Sequence, residues 1–422
     1  DNGMKIRLRI DGVLRDHAIV PALYQKNLTT RIKLISNMNI TESRLPQDGA
    51  IKNIINGIDL DMRVSSLNTN LGEKVVIRIL DYSKSNEGLD TLGFSDSNLV
   101  KIKKMISVPN GIILVTGATG TGKSTTVYTM LQALNTEDTN IITVEDPIEM
   151  NIEGINQVQV NSEIGLTFGR VLRSILRQDP NIILIGEIRD SETAQIAVRA
   201  SITGHLVFST VHTNNSLSTI ERLLDMNVER YLLSSALTGI VSQKLARRMC
   251  PTCRKERPTT LYEKKVFKEI LNKDVETIMD IEGSCENCRN GYSGRIAIQE
   301  VLLINDELRD AINNADLKRD ELRKMVYTSD VTTLLQDGLQ KVLDGITTFD
   351  EIYKLIEIDN ELDNKYDIKP IDDLLEENTL IKKEDNIIND NASGNETLNL
   401  MKENINQEYS DNTEVLDLGS II

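Results

Sequence analysis

The chain has 422 residues, four cysteines, no tryptophan and a formal charge of −16, and that length predicts two or three domains. No apolar run reaches the ~18 residues a transmembrane helix needs, so no membrane insertion is expected; no signal peptide is visible either, in a chain that opens at Asp1 and reads as a fragment trimmed at its start. Residues 361–422 hold 16 acidic and 5 basic side chains, a net of −11 that leaves about −5 on the first 360, so the body has no bulk basic charge for nucleic acid and a soluble cytosolic protein is expected.

Lys5–Ile10 alternates polar and apolar residues, and Asp11-Gly12 turns the chain into Val13-Leu14-Arg15, a hairpin pattern. Ala22–Ile35 has helical spacing, Asp48-Gly49 reads as a second turn, and Ile58–Val64 and Lys74–Leu80 read as strands. Residues 1–82 thus predict a small α+β domain, and 83–91, polar and unpatterned from Ser83 to Gly88, a linker. From 92 to 249 strands alternate with helices, and the uniformly apolar strands 112–116, 141–144, 182–186 and 206–210 predict a buried parallel sheet. Residues 250–295 hold all the cysteines, 296–358 read as a C-terminal helical region, and 359–422 as a disordered acidic tail with too little apolar area to offset ordering entropy. Within that tail Ile371, Leu374, Leu375, Leu380 and Ile381 could form one apolar face for docking; a dispensable tail is the alternative.

Residues 117–124 read Gly117, Ala118, Thr119, Gly120, Thr121, Gly122, Lys123, Ser124, and Thr125 opens a helical run to Leu134. Strand, glycine-rich loop and helix in that order make a phosphate cradle: loop N–H groups and the helix dipole hold an anion, Lys123 reaches the β- and γ-phosphates of ATP, and Ser124 binds Mg²⁺. Downstream, Glu187 ends the apolar strand after Gly186, where an acid can bind the Mg²⁺ shell or orient the attacking water; Asp190 better fits a helix cap. Glu145, Asp146 and Glu149 follow another strand, with Pro147 stopping it; such a cluster is either a solvated loop or is offset by the same cation.

His212 follows the 206–210 strand, at the sheet edge expected to carry the phosphate loop, and reads as a γ-phosphate sensor or a structural histidine; His205 is open between the same readings. Arg170, Arg173 and Arg177 share a helical face, either solvated or turned to a neighbouring subunit's nucleotide. Cys250 and Cys253, then Cys285 and Cys288, form two C-x₂-C pairs with 31 residues between them. Two such turns complete a tetrahedral S₄ site that favours structural Zn²⁺ over thiol redox chemistry.

These motifs, with Arg44–Gly49, Asp61–Ser66, Gly72–Arg78, Ile142–Pro147, Leu176–Pro180, Gly186–Asp190, Thr203–His205 and Ser209–Asn214, resemble in order the hexameric secretion ATPases of type II secretion and type IV pilus assembly, from about residue 4 to 350. The resemblance implies an α/β fold: a RecA-like phosphate-loop ATPase core preceded by a PAS-like domain. The small-domain arginines matching Arg63 and Arg78 would reach the nucleotide phosphates. It also implies a homohexamer, peripheral at the cytoplasmic membrane, that works with an inner-membrane platform protein and cytoplasmic assembly proteins. The tetracysteine segment resembles extension-type members, while retraction motors of this fold generally lack it. The resemblance takes up after the family's N-terminal docking domain and does not extend over the acidic tail. The expected activity is Mg²⁺-dependent ATP hydrolysis, with Glu187 polarising water and Glu145 or Glu149 as rivals. A retraction motor, a nucleic-acid-translocating ATPase and a non-hydrolysing scaffold subunit are the alternatives.

Overall fold

The computed structural model describes residues 3–55, 58–80, 88–328 and 330–357. Linker residues 83–87 and the tail from 359, with its apolar positions, lie outside the described residues.

β1 (Met4–Ile10) and β2 (Val13–Val20) form a hairpin about Asp11-Gly12, and α1 (Ala22–Ile35) follows over the span its spacing predicts. β3 (Gln47–Ile55), β4 (Ile58–Thr69) and β5 (Gly72–Leu80) make a three-stranded antiparallel sheet. Asp48-Gly49 is strand, not the expected turn. A Cβ on Gly49 would lie 2.2 Å from the Ser36 carbonyl oxygen, so this glycine serves the close approach of the chain leaving α1. The core here is small, with Met38, Ile51 and Val64 at its centre. Lys33 is buried in it because Glu73 pairs with its ammonium, which also donates to the Glu42 carbonyl at 2.7 Å.

The main body starts with α2 (Asp96–Ile106), capped by Ser95. It continues β6 (Gly111–Thr116), α3 (Lys123–Leu134), β7 (Ile141–Glu145), β8 (Asn156–Gln159), α4 (Phe168–Ile175), β9 (Ile182–Ile185), α5 (Ser191–Ile202) and β10 (Leu206–Val211). After α6 (Ser216–Asp225) and α7 (Arg230–Ala236) comes β11 (Leu237–Met249). The cysteine segment contributes β12 (Arg254–Pro258), α8 (Leu261–Leu271) and β13 (Thr277–Ile281). The chain then returns through β14 (Tyr292–Leu303) to α9 (Asp306–Asn313), α10 (Arg319–Thr328), α11 (Leu334–Leu343) and α12 (Phe349–Glu357).

One seven-stranded sheet, in the order β14-β11-β6-β10-β9-β7-β8, organises this body; all neighbours are parallel except β14 with β11. Alternate residues of β6 enter opposite faces: Ile112 and Leu114 pack with α4 to α7, Ile113 and Val115 with α2 and α3. Every residue of β6, β7, β9 and β10 is buried, as uniformly apolar strands covered on both sides must be.

β11 and β14 were not among the expected strands. Residues 296–303, read as the head of the helical region, are the end of β14. Gln299 and Glu300 interrupt its apolar pattern, yet both are buried, Glu300 accepting the Ser216 N–H at 3.0 Å. The cysteine segment packs on the C-terminal helices. Phe267 of α8 is fully buried, 5.8 Å from the Phe349 ring of α12, and Tyr262 packs edge-on to Phe349 and Tyr353.

Candidate nucleotide site and cysteine cluster

The loop from Gly117 to Gly122 joins the C-terminal end of β6 to the N-terminus of α3. Gly117 has φ 150°, and a Cβ there would lie 2.5 Å from the Gln243 carbonyl oxygen and 2.6 Å from Thr121 Oγ1, so no side chain fits. Ala118, Thr119 and Gly120 form an exposed crest, Thr121 is buried, and Gly122 is half-buried ahead of α3. Lys123 is 8% exposed; its Nζ donates to the carbonyls of Gly117 at 2.7 Å and Ala118 at 3.0 Å. Burial lowers its pKa from the usual lysine value, and the charges of Glu187 and Glu149 act against that shift. Ser124 is half-buried and Thr125 exposed in the first turn of α3.

The three candidate acids differ in how fully their oxygens are engaged. Glu145, 4% exposed, accepts from Tyr128 Oη, from Thr143 Oγ1 and from Gln157 Nε2 at 3.1 Å. Burial, then the Glu145 carboxylate, push the Tyr128 hydroxyl well above the ordinary tyrosine pKa. Glu149 is exposed, its main-chain N–H 3.3 Å from Tyr128 Oη. Glu187 follows β9, where Gly186 N–H donates to Val144 O at 2.8 Å and Ile188 N–H to Thr210 O at 2.9 Å, so β7 and β10 brace it from both sides. Its Oε2 is buried and accepts no well-aligned hydrogen bond, although Arg189 Nε lies 2.6 Å and His212 Nε2 3.4 Å away.

His212 follows β10, whose Val211 pairs in register with Thr116 beside the loop. Burial, then the Lys123 charge, lower its pKa below the usual 6.5, and Glu187 opposes them only partly. The neutral form is therefore the one the fold prefers; its contribution is full above the unfolded value and is lost as pH falls below it. Between pH 7 and 5, His212→Gln should lose less thermal stability than the wild type. An equal fall of the two midpoints would show that His212 does not titrate there.

His205 sits at the opposite edge, its Nδ1 2.9 Å from the Ala200 carbonyl. Asp190 caps α5, accepting from Thr193 N–H at 2.8 Å. Of the three arginines expected on one helical face, Arg170 and Arg173 lie on α4, where Arg173 pairs with Glu192, whereas Arg177 falls in the turn after the helix and donates to the Arg173 carbonyl at 2.5 Å. Arg63 and Arg78 face each other directly across β4 and β5; Arg63 donates to the Ile148 carbonyl in the acidic loop after β7, while Arg78 is exposed.

Cys250 and Cys253 flank the turn after β11, and Cys285 and Cys288 the turn after β13. Their four sulfurs lie within 4.8 Å of one another, with Cys250 to Cys285 at 3.7 Å and Cys253 to Cys288 at 3.5 Å. Metal–sulfur bonds of ~2.3 Å give a tetrahedron with S···S edges of about 3.8 Å, whereas a disulfide needs ~2.05 Å. The thiols fit an S₄ metal site.

Three features of the nucleotide edge escaped the sequence. Gln243 of β11 reaches the loop: its Nε2 donates to Thr121 O at 2.7 Å and its Oε1 accepts from Thr126 Oγ1 at 2.8 Å. Gln243 lies in the polar stretch Ser242-Gln243-Lys244, which gives no local sign that it is buried. Tyr128 ties α3 to the acidic loop. Thr116 Oγ1 donates to Thr213 O at 2.7 Å, joining the start of the loop to the segment after His212.

Parallel strands that end at one edge, with a glycine loop leaving an inner strand and acids closing two others of the same sheet, β9 and β7, are how phosphate-loop nucleotide-binding α/β proteins are built, and this chain is of that class. More narrowly, it belongs to the type II/IV secretion system protein family, which residues 1–354 match. It is 46% identical over 351 residues to the type II secretion system protein E of Dickeya dadantii (strain 3937), covering 83% of this chain and 69% of that one. It is 44% identical over 359 residues to the type IV pilus assembly ATPase PilB of Thermus thermophilus, covering 83% of this chain and 40% of that one. The solved structure of the pilus retraction motor PilT with bound ADP matches with a TM-score of 0.58 at 26% identity, over 84% of this chain and 91% of that one.

Proposed function

We propose that the chain is a cytoplasmic motor ATPase that drives type II secretion or type IV pilus assembly as a homohexamer, engaging an inner-membrane platform protein and cytoplasmic assembly proteins. The observation that carries the reading is the convergence of Lys123, Glu187, Glu149 and His212 at the phosphate-loop edge, in a family of secretion proteins.

Water attacks the γ-phosphorus of ATP; the new O–P bond forms as the bond to the β–γ bridging oxygen breaks, releasing ADP and phosphate. Glu187, held at the loop edge by its pair with Arg189 and close enough to Lys123 to act on its charge, orients the water and takes its proton. Lys123 offsets the charge developing on the β–γ bridge and the γ-oxygens. Glu145 is a structural tie, since its oxygens already accept three hydrogen bonds, and Glu149 tunes Lys123. His212 senses the γ-phosphate. Arg63 and Arg78, like charges facing each other, suit an anion between them and clamp the phosphates when the small domain closes. When bound, Mg²⁺ would be held by the Ser124 hydroxyl, which lies at the head of α3, and would neutralise phosphate charge.

Large exposed apolar side chains on the small domain, Leu23 at 80%, Leu71 at 84% and Ile79 at 63%, support assembly with further copies. Among the described residues no helix is long and apolar enough to cross a membrane, which supports a peripheral location. The likeness to PilT favours retraction as a second reading; the cysteine cluster supports assembly instead.

A phosphate-release assay on the full chain tests the reading, with and without DNA or RNA. Turnover unaffected by nucleic acid is expected. Strong stimulation would shift the assignment to a translocase, and no turnover to a scaffold subunit. Truncation after residue 358 should leave turnover and assembly intact. A large loss of either would place the tail in the working motor.

A further inference from the structure

Gln243 is 1% exposed on β11, next to Ser242, which pairs in register with Thr116 at the start of the phosphate loop. Its amide and main chain touch three points of the loop and its helix. The Gln243 carbonyl oxygen lies where a Cβ on Gly117 would come within 2.5 Å; Nε2 donates to Thr121 O at 2.7 Å; and Thr126 Oγ1 of α3 donates to Oε1 at 2.8 Å. The Thr121 carbonyl, which can only accept, sets which end of the amide faces the loop: Nε2 must point to it, two residues before Lys123, and Oε1 then takes the Thr126 hydroxyl.

We propose that Gln243 is a positioning residue for the phosphate loop, holding its backbone in the shape that receives phosphates. This rests on the nucleotide-site reading above. The planar amide serves both partners at once, a donor to the Thr121 carbonyl and an acceptor for the Thr126 hydroxyl. Glutamate would set a carboxylate oxygen against the Thr121 carbonyl, and methionine, of similar length, would leave that buried carbonyl and the Thr126 hydroxyl unpaired. A mere brace between β11 and α3 would affect unfolding. A positioning residue affects what the folded loop binds.

The test titrates full-length wild type, Gln243→Met and Gln243→Glu with a fluorescent ADP analogue and Mg²⁺. Steady-state kinetics and thermal midpoints are taken in parallel. Gln243→Met should weaken ADP binding by about tenfold and lower kcat, with the stabilisation by saturating ADP reduced; Gln243→Glu should be weaker still. A lowered midpoint with wild-type ADP affinity and kcat would overturn the proposal and leave a structural brace. Wild type that binds no ADP would overturn the nucleotide-site reading itself. If Gln243→Met does not fold, Thr126→Val, which removes the partner of Oε1 and leaves the amide held at one end only, should weaken ADP in the same direction by a smaller factor; wild-type affinity in that variant would equally sink the proposal.

Discussion

Glu187→Gln is expected to hold ATP and barely hydrolyse it, with turnover down by ~10²–10⁴-fold, the range a positioned general base contributes. The substitution keeps size and shape but removes the charge and the basic oxygen. The partners of Glu187, Arg189 at 2.6 Å and His212 at 3.4 Å, lie at the loop edge and not in the core, so losing the charge should spare the fold. Glu145→Gln makes the contrast. Its carboxylate accepts from Tyr128, Thr143 and Gln157, so the substitution turns one oxygen into a donor facing donors and should destabilise the fold more than it slows chemistry. Lys123→Ala should abolish turnover and weaken nucleotide binding as well, because no other residue of the 117–124 segment is cationic. Single-turnover hydrolysis and ATP retention separate these cases. Wild-type turnover in Glu187→Gln would remove it from the mechanism and send the test to Glu145 and Glu149.

Purified protein should carry one Zn²⁺ per chain, and stripping it should open the two cysteine turns. Structural zinc sites in small modules contribute roughly 10–16 kcal/mol of apparent binding free energy near neutral pH. The Cys250–Cys285 and Cys253–Cys288 sulfur separations of 3.7 and 3.5 Å are close to the edge of an S₄ tetrahedron, and all four sulfurs lie within 4.8 Å of one another. The surroundings decide how far the damage spreads. Phe267 and Tyr262 pack on Phe349 and Tyr353, so α8 keeps an apolar anchor without metal. Arg257 also stays paired with Glu263 and Asp280. Loss of order should therefore concentrate at 250–253 and 285–291, rather than across the whole of 250–295 as composition suggests. Cys250→Ser should show it as faster amide exchange in those turns, with ADP binding largely retained. Metal well below one equivalent, with four freely titrating thiols in folded protein, would move the cysteines to redox chemistry.

The phosphate loop and the four buried central strands were legible in the sequence because their signals are local. Eight contiguous residues define the loop, and a strand covered on both faces has to be apolar throughout. α1 was likewise readable from its own spacing. The two C-x₂-C pairs announced themselves by composition. Tertiary structure alone decided the rest. Gly49 looks like a turn residue until the Ser36 carbonyl is seen against it. β14 looks partly helical because its buried Gln299 and Glu300 break the pattern, and Glu300 is tolerated through a partner 84 positions away in Ser216. The sequence ranked Glu187 above Glu145 as the water-orienting acid by position and reach; only the fold reveals that Glu145 is already bound by donors from α3, β7 and β8. Gln243 and Arg63 act through partners 122 and 85 positions away. A residue's type and its near neighbours set its propensity. Whether a buried polar group is satisfied, and so whether it is a tie or a free reagent, depends on groups that only the folded chain brings within 3 Å.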